Sequence, residues 1–254
     1  MVYTAKYFRD NFPDWKYRKD FITTRLFYRP VSFYVSAFCA NHGISANAVS
    51  VFSSFVAVLA CVMFLFARYE LNILGAILIS VWGILDCADG NLARTVGAQP
   101  FGEFVDAESS YTLICFLGVS LGISVYFTKG GVLISGGNPW IIFIGAVASS
   151  CDTLVRLIYQ KYQNSSRELA DKNIIPPHRE KRTENEYSGS LRVKLEQWPG
   201  IGGFMAPMIL VCAVLNALDV VIYYMALYYC SGAVVFICWY TLKAMSFRNI
   251  SMNV

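Results

Sequence analysis

A chain of 254 residues that is 56% hydrophobic, only 15% charged and has a mean hydropathy of +0.47 carries more apolar side chain than a soluble domain of this size buries. An ordinary water-soluble globule is thereby excluded, and in a chain that is otherwise membrane no nucleic-acid partner is expected. What remains is an all-α polytopic membrane protein, predicted to have six transmembrane helices and an N-terminal interfacial amphipathic helix.

Residues 1–43 mix Lys6, Arg9, Lys16, Arg18, Lys19, Arg25 and Arg29 with large aromatics such as Phe8, Phe12, Trp15, Tyr17 and Phe21. That mixture predicts a helix lying in the membrane interface and ended or kinked by Pro30, with an ordinary solvated helix as the alternative. It does not read as a cleavable signal, which has a basic start followed by an apolar run. Ser45 or Asn47 can cap a first span running to about Arg68. A second span begins near Leu71, a third runs from Gly102 to about Phe127, and Lys129–Gly137 is the turn after it.

The fourth span, about Pro139 to Tyr162, carries Asp152 and Arg156 one helical turn apart. Two readings stay open: the pair neutralises itself, or Arg156 offers its guanidinium to a substrate phosphate. Residues 164–196 read as a hydrophilic loop, holding Arg167, Lys172, Arg179, Lys181, Arg182, Arg192 and Lys194, with an interfacial helix near Leu191–Trp198. The fifth and sixth spans follow at about Gly200–Leu215 and Val220–Leu242, then a tail with Lys243 and Arg248. The expected division is a 1–43 N-terminal segment, a 44–243 membrane domain and a 244–254 tail. Eight scattered cysteines read as small buried hydrophobes.

One stretch, between the second and third spans, needs another explanation. If residues up to Thr95 are helical, Asp89, Gly90, Ala93 and Arg94 lie within about 80° of Asp86 around the axis. On the next helix Asp106 and Ser110 stand at i+4 and i+8 from Gly102, again on one face. Ionisable groups among apolar spans are expensive and read as functional. Carboxylates gathered from two helices suit a hard cation, Mg2+ or Mn2+, that also binds phosphate. Gly90 and Gly102 would let a ligand or the other backbone come close.

These residues resemble the signature of the CDP-alcohol phosphotransferase family, D-x2-D-G-x2-A-R-x7/8-G-x3-D-x3-D. Asp86, Asp89, Gly90, Ala93, Arg94, Gly102 and Asp106 match in identity and spacing, and Ser110 stands where the family has its fourth aspartate. Asn47 and Ser50 are similar to the family's Pro-Asn-x-x-Thr element, with Ala46 and Ser50 in place of its proline and threonine; a helix cap explains Asn47 equally well.

The resemblance implies six membrane helices and a reaction in which an acceptor hydroxyl attacks the β-phosphorus of a CDP-alcohol and CMP leaves. It makes Asp86, Asp89 and Asp106 ligands of one or two Mg2+ or Mn2+ ions, and Gly90 and Ala93 the place where cytidine rests. Arg94 either meets phosphate or anchors its helix at the headgroups. Lipid, alcohol or phosphate acceptors and a homodimer are the partners so implied, in phospholipid or related precursor synthesis.

In the family the fourth aspartate is the candidate general base, and Ser110 is no base at neutral pH. Either the chain is a silenced member acting as a binding or scaffold protein, or metal-bound activation suffices, or the acceptor brings an already ionised nucleophile; the last is preferred. A transporter would spread its ionisable groups through the membrane and show repeats, which are absent here. Arg68 and Lys129 fall on one side and the other nineteen Lys and Arg on or toward the opposite side. The positive-inside rule then puts both termini and the site in the cytoplasm.

Overall fold

The computed structural model describes residues 2–134, 137–175 and 198–247. It is helical throughout, with no strand among the described residues, and five helices are long and apolar enough to cross a membrane. The protein is an all-α polytopic membrane protein.

The N-terminal segment is the first departure from expectation. In place of one interfacial helix it forms α1 (Ala5–Asp10), α2 (Asp14–Lys19), a π-helical turn (Thr24–Tyr28) and α3 (Arg29–Asn41). Pro13, which has no N–H to donate, precedes α2; Pro30 does not end its helix but follows directly on the π-helical turn in a run that stays helical to Asn41, so the α-helical pattern is interrupted just before it. Arg29, read as an interfacial cation, is buried.

α4 (Ala46–Leu65) is capped by Ser45, whose hydroxyl accepts from the Ala48 N–H at 3.2 Å. α5 (Tyr69–Thr95) and α6 (Gly102–Thr128) carry the acidic stretch on their adjoining ends. α4 packs along both of them, whereas α5 and α6 touch each other little, so α4 floors the crevice that opens where they meet. Below the carboxylates a polar bridge ties the three together: Ser53 and Ser109 hydroxyls lie 2.6 Å apart and the Trp82 indole N–H donates to Ser109 at 2.8 Å.

α7 (Trp140–Asp171) is longer than the fourth span was expected to be, and residues 164–171 are helix, not loop. The helix runs on through the polar residues 164–167 and stops only where Asn173 turns left-handed at φ 55°. The interfacial helix expected near Leu191–Trp198 falls almost wholly outside the described residues, as do Arg179, Lys181, Arg182, Arg192, Lys194 and Arg248.

The fifth segment is broken. A π-helical turn (Ile201–Met205) leads into α8 (Ala206–Val214), and Gly203 sits at non-helical φ −123°, ψ −114°. Together they reach about 21 Å, short of the roughly 30 Å hydrocarbon thickness. α9 (Leu218–Met245) is the last long apolar helix and packs along α7.

Candidate active site

At 1.5 Å per residue the 27 residues of α5 span about 40 Å, some 10 Å more than the hydrocarbon requires. Asp86 and Asp89 lie toward its C-terminal end, past the apolar run that follows Leu71. There the Asp86 and Asp106 side chains lie within hydrogen-bonding reach of each other across the α5–α6 crevice. Asp89, one turn along, is buried and its Oδ2 accepts from the Ser50 hydroxyl at 2.6 Å. Like charges this close require a proton or a cation among them.

An all-carboxylate oxygen donor set fits a hard divalent ion. Among the described residues no three His, Cys, Asp or Glu side chains are grouped so as to hold a metal ion, so the expected Asp86, Asp89 and Asp106 set is not assembled as a threesome. The reason is visible in the partners: Asp86 and Asp106 face each other while Asp89 is turned onto Ser50.

The remaining residues singled out from sequence fall into two groups. Asn47 and Ser50 reach the site from α4 as braces. Asn47 donates to the Pro100 carbonyl at 3.0 Å and its N–H donates to Gln99 at 3.4 Å, tying down the α5–α6 turn. At Gly102 an added Cβ would meet only the Asn47 Oδ1 at 3.4 Å, and at Gly90 the Arg94 guanidinium at 3.0 Å, so neither glycine brings another backbone close. Arg94 donates to Asn91 Oδ1 at 3.3 Å and lies over the Phe12 ring. Ala93 is partly buried against the core.

Ser110 spends its hydroxyl on its own helix, bonding the Ala107 and Asp106 carbonyls at 3.2 and 3.4 Å. Arg156 donates to Asp152 at 2.6 Å and also lies over the Tyr111 ring at 5.1 Å, yet both members of the pair line a cavity.

That cavity, of about 340 Å3, opens beside Asp86 and is the feature sequence reasoning missed. The N-terminal segment supplies Lys16, Lys19, Asp20 and Arg29 to its wall. Arg29 is fixed by a fork of bonds: to Asp20 at 2.9 and 2.7 Å, to the Cys87 carbonyl at 3.3 Å and to Asn91 at 3.2 Å. It therefore clasps the N-terminal segment to the acidic turn of α5 itself. Pairing of this kind is what makes a buried guanidinium tolerable.

A family model described as CDP-alcohol phosphatidyltransferase matches residues 43–176, more than half of the chain. No curated protein matches it.

Proposed function

The chain belongs to the CDP-alcohol phosphatidyltransferase family, and from that premise we propose that it transfers the phospho-alcohol group of a CDP-alcohol to an acceptor, releasing CMP. The observation that carries the reading is the meeting of Asp86 and Asp106 across the α5–α6 crevice, with Asp89 one turn away. Asp86, Asp89 and Asp106 would hold Mg2+ or Mn2+, which neutralises a diphosphate and stabilises the leaving phosphate when bound. Ser50 holds Asp89 in place, and Asn47 fixes the turn that joins the two acidic helices. Gly90 and Ala93 would let the cytidine lie against the end of α5, where Arg94 is held by its bond to Asn91.

The same reading divides the chain into a 1–43 segment, a 44–243 catalytic domain and a 244–254 tail, with termini and site cytoplasmic, where nucleotide-activated donors occur. Acceptor activation then falls either to the metal or to an acceptor nucleophile that is ionised already. A homodimer is compatible with it.

A second reading is supported by one observation: the Ser110 hydroxyl is turned onto helix carbonyls, leaving no proton acceptor at that position. On this reading the chain is a silenced member that binds the donor without turning it over. Purified protein with Mg2+ or Mn2+ and a panel of CDP-alcohols and acceptors separates the two. The transferase is expected to release CMP, to stop on chelation and to lose at least about a hundredfold in rate on Asp106→Asn. Donor binding with no CMP from any combination would leave the silenced reading.

A further inference from the structure

Phe12 lies between α1 and α2, outside the 43–176 region matched by the family model. Its ring packs edge-on against Phe33 of α3, with centroids 5.6 Å apart. Two guanidinium groups meet that ring, Arg29 at 4.7 Å and Arg94 at 5.7 Å from its centroid. The same two arginines share the Asn91 Oδ1, at 3.2 and 3.3 Å. Arg29 is fixed independently by its bonds to Asp20 and to the Cys87 carbonyl. Arg94 is not: Asp20 and Asp89 attract it, but neither stands within ion-pair distance, so Asn91 and the Phe12 ring are what fix its guanidinium.

The consequence is a direction. A long cationic side chain at the end of a membrane helix ordinarily reaches outward to the headgroups. Arg94 instead folds back along α5, until its guanidinium lies 3.0 Å from where a Cβ on Gly90 would stand. Gly90 directly follows Asp89, so the charge is brought beside the acidic stretch, and Arg94 stays exposed, within reach of a ligand. Asn91 is a firm anchor, because its amide donates to the Ser32 and Ser36 hydroxyls of α3 at 3.0 and 3.3 Å. One hydrogen bond still leaves an arginine much rotamer freedom, and the ring supplies the second point of attachment.

We propose that Phe12 is a positioning residue: its ring holds Arg94 folded back beside Gly90, where the guanidinium meets the phosphates of the CDP-alcohol. The inference rests on the transferase reading, and it makes the N-terminal segment part of the donor site.

The test uses the full chain in detergent with Mg2+ and reads CDP affinity by titration calorimetry, which needs no turnover. Phe12→Leu keeps an apolar side chain against Phe33 and removes the ring face. It is expected to weaken CDP binding about fivefold, whereas Phe12→Tyr stays within about twofold of the unaltered protein. In an Arg94→Gln background Phe12→Leu should change the affinity by less than about twofold, while an effect routed through Arg29 or through the fold would persist there. In turnover, Phe12→Leu should raise the donor KM about fivefold while kcat and the acceptor KM move less than about twofold. Equal weakening in both backgrounds, equal loss with Leu and Tyr, or no loss with Leu overturns the positioning role and leaves the transferase reading standing. No CDP binding by the unaltered protein overturns the donor reading and the positioning role together.

Discussion

Ser110 occupies the position from which a carboxylate would face Asp106 one turn along α6, but its hydroxyl is turned back onto the helix. General bases contribute about 10²–10⁴ in rate. Ser110→Asp is therefore expected to raise CMP release with plain alcohol acceptors by at least about tenfold at saturating substrate. An unchanged rate would mean that proton removal is not limiting or occurs elsewhere. The acidic residues of the site were legible in the sequence because helical phase alone aligns Asp86 with Asp89 and Gly102 with Asp106. The clasp was not legible: Arg29 meets Asp20, Cys87 and Asn91 across gaps of 9, 58 and 62 residues. No local periodicity encodes those meetings, and an arginine among aromatics reads as an interfacial cation until its burial is seen.

α6 and α7 approach each other closely at a pair of glycines. A Cβ on Gly118 would run into the Gly145 carbonyl oxygen and the Ser149 hydroxyl, and the Gly118 N–H lies 3.0 Å from that hydroxyl. Between membrane helices, where no hydrophobic force drives contact, such small-residue seams supply the packing. Gly118→Ala is expected to destabilise the protein by about 1–3 kcal/mol in thermal unfolding. Gly232, in α9 with nothing within 4 Å of its added Cβ, is the control: Gly232→Ala should be neutral or stabilising by up to about 1 kcal/mol. If Gly118→Ala is as mild as Gly232→Ala, the seam is not what holds α6 to α7. Hydropathy located the long helices well because apolar length is a strong signal. It failed where composition and backbone disagree: α7 continues helical through a polar run, and glycines break the apolar fifth segment.

For the molecule as a whole, the N-terminal segment ties stability to pH through one titratable group. Burial, with Lys16 nearby adding to it and Asp20 opposing, lowers Lys19 from the usual lysine range to about 8. In the unfolded chain the same group titrates near 10.4. Between those values the unfolded state holds a proton that the native state has released, so stability rises with pH across that window. A general alkaline loss of structure would run the other way. The expected result is a thermal midpoint that holds or rises between about pH 8 and pH 10. Lys19→Met should flatten that rise by removing the titrating group. The other titratable groups around the cavity, among them Tyr28, Cys87 and Tyr229, are common to both proteins, so the comparison isolates Lys19. A midpoint that rises equally in Lys19→Met would assign the pH dependence to one of those groups.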